Sequence, residues 1–354
     1  MAEFKDYELE LRGAWSGALI DEISDICTGR KWSVTRNGIE TLEFTMDLDA
    51  FEQRMAAIGE DPYSVMLPYT VDIIVVKKGV RKFGTHVYDR KYSLGVDGKG
   101  VSVKADGYLN LFKDRYITKI YGPQSMTDIA WDMIDTTQSV GADDDFGITL
   151  GPDQYITADR ERTYDDKNIK DAIIQQTDIL GSEYDFQITW DKKWNTYEHL
   201  GSDRPDIILT YPEIITTLDV PDSAIGTFNR VRALGSGMGE EKLVSIAEDA
   251  TSKTNFKTRE KPVLYNDVSV QDTLDQNAER DLALAKDIIQ LPAITLPGTA
   301  LDLNDVWVGD RIRVVIKDTP SLPLDGMYQI EKITVSLDDN DVETITLDLD
   351  NYGL

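Results

Sequence analysis

The chain has 354 residues, 41% of them apolar, which is enough for two or three ordinarily packed domains and too many for a disordered chain. Its 64 acidic residues against 37 basic ones leave a formal net charge of −27, which opposes the cationic grip that nucleic-acid binding requires. A lone cysteine, Cys27, excludes an internal disulfide, and with only His86 and His199 beside it a tetrahedral Cys/His zinc site is excluded as well.

The acidic opening MAEFKDYELELR has no apolar signal core, and the longest apolar run, VDIIVV at 71–76, has the length of a strand. A soluble chain without stable membrane association is expected. The first 107 residues read as β. Lys31–Thr35 alternates, Asn37-Gly38 marks a type I′ hairpin turn, and the return strand places Leu42, Phe44 and Met46 on one face. Further strands are expected at 69–77, 82–92 and 101–106, a spacing that suits a barrel or sandwich.

From about 108 to 215 the period changes to that of a small α+β module. SMTDIAWDMIDTTQ predicts a helix capped by Ser125, with Met126, Ile129, Ala130, Met133 and Ile134 on its buried face. DDKNIKDAIIQQTDILG predicts a second helix, capped by Asp165 or Asp166, with Ile169, Ala172, Ile173, Gln176 and Leu180 inward and Gly181 ending it. Strands are expected at 184–190 and 207–211. From 216 to 354 the chain returns to β around one inserted amphipathic helix with a stripe running from Val270 through Leu274, Ala278, Leu282 and Ala285 to Ile289, ended by Pro292 and Pro297. A hairpin, 328–337 and 342–349, closes it around Asp338–Asp341. The fold class is therefore mainly β with an α+β insertion, divided as 1–107, 108–215 and 216–354.

Catalytic motifs fail on inspection. GSGMG, Gly235 to Gly239, lacks the Lys-Ser/Thr of a phosphate loop, is followed by Glu240-Glu241, and has Gly237 where a nucleophile elbow needs Ser. Asp143-Asp144-Asp145 and the Asp338 turn lack the ligand spacing of a calcium loop, and DLDNYG, Asp348 to Gly353, begins the pattern but is followed only by Leu354, so solvated turns are expected at all three. His86 reads as an exposed or satisfied strand histidine, and His199 lies in a polar segment. Trp131, Trp190, Trp194 and Trp307 have no fixed spacing, so core and interface packing is preferred to a sugar-stacking surface. No catalytic, cofactor or metal residue is nominated. The stretch LDLNDVWVGDRIRVVI turns at Gly309-Asp310 and then alternates. Arg311 and Arg313 point outward, toward carboxylates of the same subunit or of a neighbour. With Trp307 they form the candidate subunit interface.

The order of segments resembles the tail hub family of tailed bacteriophages, the baseplate hubs and tail-associated minor tail proteins. The likeness is carried by WSVTRNGIETLEFTM, LNLFKDRYI before SMTDIAWDMI, then FNRVRALGSGMGEEKL, VQDTLDQNAERDLALAK, WVGDRIRVVI and YQIEKITVSL. It implies two tail-tube-like β-barrel domains flanking the α+β module. It also implies a homotrimeric structural virion protein without cofactor, assembled in the host cytoplasm, that adapts a six-fold tail to a three-fold tip. Its implied partners are the distal tail protein, the tape measure protein and a central tail fibre or tip protein, with genomic DNA passing unbound through an acidic channel. The alternatives are a tail-associated cell-wall hydrolase and a receptor- or glycan-binding tail protein.

Overall fold

Strict alternation in the strand Thr41–Asp47 sends Leu42, Phe44 and Met46 into the core and leaves Thr41, Glu43, Thr45 and Asp47 exposed. Around it the computed structural model builds a large sheet; it describes residues 6–96, 98–179, 181–221, 226–237, 239–265, 268, 270–286, 292–317, 319, 324–338 and 340–351. The molecule is mainly β, with few helices.

Two compact units divide the chain, one of Met1–Thr217 with Ile294–Asp348 and one of Leu218–Ala293 with Leu349–Leu354. The first unit joins residues from all three of the expected divisions, 1–107, 108–215 and 216–354. The physical reason is one long-range pairing. Lys332–Ser336 of the strand Asp325–Leu337 lies antiparallel to Lys31–Thr35 of the strand Cys27–Thr35. One continuous sheet therefore runs from Glu343–Asn351 through Asp325–Leu337, Cys27–Thr35, Thr41–Asp47, Gly98–Gly107, Val80–Gly95, Val71–Lys77 and Tyr7–Gly13 to the edge strand Leu19–Glu22. Arg311–Ile316 and Asp203–Tyr211 branch from Asp325–Leu337.

The Asn37-Gly38 turn differs from the expected tight hairpin. Asn37 alone takes a positive φ of 52°, and Ser33 pairs with Thr41 across a wider loop. The loop opens because its side chains serve other elements. Asn37 Nδ2 donates to Asp185 at 2.6 Å, and Asn37 Oδ1 accepts from Phe186 N. Arg36 bridges Asp185 at 2.7 Å and Glu331 at 2.9 Å. Three distant parts of the chain thus meet at one loop.

A helix at Leu48–Ile58 was not expected from the sequence. Asp47 caps it by accepting from Ala50 N, Phe51 and Met55 are buried, and Gly59 at φ 81° ends it. Met126–Gln138 starts after Ser125, as expected. The Ser125 hydroxyl does not cap, however; it bonds Thr127 and Thr157 instead. Ile169–Gln176 is capped by Asn168 and not by Asp165 or Asp166, because the preceding strand Asp159–Asn168 continues through both. Gly181 keeps the positive φ expected of it, five residues past the helix end at Gln176; Leu180 lies outside the described residues. These two helices pack with Phe186, Ile188 and Trp194 of a three-stranded sheet into one core.

In the second unit the helix Gln271–Ala285 covers one face of the sheet Val244–Glu248, Arg230–Leu234 and Glu260–Leu264. Val231, Ala233, Ala247, Leu274 and Ala278 are its core. Ile289, which extended the stripe in the sequence, lies outside the described residues, and Pro297 sits at the end of a strand, Ala293–Pro297.

Lys77 ties the strand Val71–Lys77 to the C-terminal hairpin. Its buried Nζ lies 2.8 Å from both Glu343 carboxylate oxygens and 2.8 Å from the Tyr7 hydroxyl, which itself donates to Glu343 at 2.5 Å. Replacing Lys77 alone leaves a buried carboxylate without its cation. Lys77→Met is expected to cost about 3 kcal/mol in denaturant unfolding, and Lys77→Met with Glu343→Leu clearly less.

Glu40 packs against Gly107, where an added Cβ would stand 1.9 Å from Glu40 Oε2. Burial pushes its carboxyl from the ordinary 4.5 up to about 7. Between those values the folded chain binds the proton more tightly than the unfolded one, so this group's contribution to stability is lost as pH rises through the window. Glu40→Gln should raise the thermal midpoint above the parent's at pH 8 and leave it near the parent's at pH 4.5.

Candidate functional site

The turn before Arg311–Ile316 is organised by Asp310, which is buried and accepts from Ser202 N and Trp307 N, each at 2.8 Å. Gly309, at φ 88°, approaches Leu200 so closely that a Cβ would meet the Leu200 carbonyl oxygen at 2.4 Å. This is a structural turn. Arg311 is buried and ion-paired with Asp203 on the parallel neighbour strand. Arg313 is 45% exposed and forms a two-pronged pair with Asp325, at 2.7 and 2.8 Å. Trp307 packs on Trp32 at 6.0 Å and carries the Lys82 ammonium 4.2 Å over its ring, where burial lowers the Lys82 pKa to about 8. Of the three candidate interface residues, Arg313 is the exposed one.

The remaining motifs fall as follows. His199 is exposed. Asp144 pairs with Arg115 at 2.7 Å, and Asp145 accepts from Gly147 N. Among the described residues no three His, Cys, Asp or Glu side chains gather to hold a metal. Gly237 takes a φ of 103° in the GSGMG loop, whose Met238 lies outside the described residues, as do Asp339 and the terminal Tyr352 and Gly353. Trp194 is fully buried and stacks on Phe186 at 5.0 Å.

Of the two readings given for His86, exposed or satisfied, the structure shows the second at Nδ1. It is buried, with Nδ1 2.6 Å from Asp72, and its ring lies between Trp15 at 5.3 Å and Tyr69 at 5.4 Å. Asp72 also holds Lys192 at 3.0 Å, and Lys192 Nζ donates to the Ala14 carbonyl at 2.7 Å. These groups flank a pocket of about 380 Å³ whose wall includes Trp15, Phe146 and Trp190, with Asp72 and Tyr108 among its buried residues. Arg12 closes the Trp15 turn by donating to the Gly17 carbonyl at 2.9 Å. Sequence reasoning missed this pocket. Its one legible trace was Asp72 inside the apolar run VDIIVV, a buried carboxylate that must find partners.

A second unassigned feature is an arm. The strands Val80–Gly95 and Gly98–Gly107 stay paired out to Gly95 and Gly98. At their base Phe83, Val87, Val103 and Ala105 are core, whereas near the tip Tyr92 is 40% and Leu94 72% exposed, and Val96 is fully so. The arm carries apolar side chains beyond any core of its own.

By sequence, no family model and no curated protein matches the chain. By structure, it is similar to a tail protein from Neisseria meningitidis MC58, at 13% identity and a TM-score of 0.71, covering 99% of this chain and 98% of that one. It is also similar to the 43 kDa tail protein of prophage MuSo2 from Shewanella oneidensis, at 11% identity and 0.68, covering 97% of both chains. A third likeness, at 11% identity and 0.53, covers 92% of this chain and 74% of an Escherichia coli type VI secretion component, itself described as similar to the T4 bacteriophage tail proteins gp27 and gp5. The fold is that of a phage tail hub. Arg311 and Trp307 serve the chain's own sheet and core, so the contacts they make are intramolecular.

Arg311→Glu places a second carboxylate against Asp203 in a mostly buried position and should cost about 3 kcal/mol in unfolding. Arg313→Glu, on the exposed side, should leave the thermal midpoint of the isolated chain nearly unchanged.

Proposed function

We propose that the chain is a structural virion protein, the trimeric hub at the distal end of a phage tail. The observation that carries this reading is the likeness to a tail protein over 99% of this chain and 98% of the other. In this reading each subunit supplies two tail-tube-like β-barrels, one on each side of the Lys31–Thr35 and Lys332–Ser336 seam, with the α+β module beside them. Two such repeats per chain let three chains present six similar surfaces to a six-fold tail and three to a tip below.

The net charge of −27 suits a channel for a polyanion, since like charge disfavours adhesion during passage. The role is non-enzymatic. The partners are further copies of the chain, the distal tail protein, the tape measure protein and a central fibre or tip protein. Arg313, which pairs with Asp325, is the exposed residue among the three nominated from the sequence. The arm, with Tyr92 and Leu94 uncovered, is the element best shaped to reach a neighbouring subunit.

Native mass spectrometry of the chain, alone and mixed with its distal tail protein, should give assemblies holding three copies; one or six copies would count against the proposal. Replacing the arm tip, residues 92–98, by a short Gly-Ser turn should abolish those assemblies while moving the thermal midpoint of the isolated chain by no more than about 3 °C.

A further inference from the structure

The pocket beside Asp72 has a charge balance that selects its occupant. Lys192 is neutralised by Asp72 at 3.0 Å, Arg12 and Arg81 share Glu10 at 2.8 and 2.9 Å, and Arg115 pairs with Asp144. Asp145 and Asp191 also line the pocket, are exposed, and have no ion-pair partner among the described residues. Four basic side chains thus stand against five carboxylates, with the surplus negative charge at the rim. The wall also carries three aromatic rings, those of Trp15, Phe146 and Trp190.

Indole and phenyl faces attract cations, and the cluster already uses that force. Lys192 Nζ stands 5.2 Å from the Trp15 ring, and the Arg81 guanidinium 4.6 Å from that of Trp190. Trp15 is 55% exposed, although its turn is fastened by Arg12 to Gly17 and by Lys192 to Ala14. A large aromatic ring held rigidly in water is characteristic of a contact site.

We propose that this pocket is a socket for one basic side chain, arginine first, presented by a partner protein. A guanidinium is flat enough to stack on Trp15 or Trp190 and can share its N–H groups between the Asp145 and Asp191 carboxylates. Its apolar stem would cover the Phe146 ring. Lysine fits the charge but not the stacking, so it binds more weakly. A volume of about 380 Å³ takes one long side chain and its neighbours. The socket rests on the hub reading only for where its partner is found, since the binding itself belongs to the isolated chain.

The test follows the indole N–H signals of chain labelled with ¹⁵N-tryptophan, assigned with Trp15→Phe and Trp190→Phe, during titration with N-acetyl-arginine amide. Its neutral isostere N-acetyl-citrulline amide, N-acetyl-lysine amide and a neutral disaccharide serve as comparisons. The Trp15 and Trp190 signals should shift saturably with the arginine probe, that of Trp131 should stay, and citrulline should bind at least about fivefold more weakly. Asp145→Asn with Asp191→Asn, both at exposed positions, should weaken the arginine probe by about fivefold with the fold intact. Equal binding of citrulline, tighter binding of the disaccharide, or no shift up to about 100 mM arginine probe would overturn the socket. If the probe binds but the chain is absent from tail tips, the hub reading fails and the socket stands; with the opposite pair of results, the socket alone fails.

Discussion

The architecture of the larger unit depends on the register between Lys31–Thr35 and Lys332–Ser336, strands separated by about three hundred residues of chain. That ladder converts β-modules from the two ends of the polypeptide into one sheet. Slipping it by one residue would turn Trp32, Val34, Ile333 and Val335 from core to solvent, so the hydrophobic pattern of both strands fixes it. The Arg36 loop secures the same seam with charge: Asp185 accepts from Arg36, from Asn37 and from Leu200 N, and Glu331 takes the other side of the guanidinium. Because Asp185 begins a strand of the α+β module, the seam also anchors that module.

The proposed hub role would call for such a seam. A ring built from few subunits must have subunits that are internally rigid, or its symmetry is lost to bending inside each copy. Buried charge supplies part of that rigidity. Lys77 with Glu343 and Tyr7, and Lys192 with Asp72 and His86, each join elements far apart in sequence. Each is costly to break, because one partner would remain buried and unpaired. Part of the protein's acid is thus held inside, paired with cations, where it organises the fold.

Much of this was legible in the residues. Alternation located the strands around Leu42, Phe44 and Met46, and helical spacing located Met126–Gln138 and Ile169–Gln176, because each of these elements buries one face against a core. The helix Leu48–Ile58 escaped because it follows a strand directly, its cap Asp47 being also the last residue of that strand. The tight turn at Asn37-Gly38 was misjudged because turn chemistry is local, whereas Asn37 is claimed by Asp185, nearly 150 positions away. Strand parity put Arg311 beside Arg313 on an outward face, yet Arg311 is buried and paired with Asp203 of the parallel neighbour strand, a partner the local pattern does not announce. The pocket left only Asp72, within the apolar run 71–76, as a trace in the sequence. Trp15, Asp72, Phe146 and Lys192 have no common spacing and meet only through tertiary contacts.

The central claim is a place and a copy number. The most direct measurement is cryo-electron microscopy of the virion encoding this chain, with the chain labelled by a bound antibody fragment. The account predicts three copies around the tail axis at its distal end, with the continuous sheets forming the wall of the channel. Label on the capsid, on lateral fibres, or on the axis in any number other than three would contradict it.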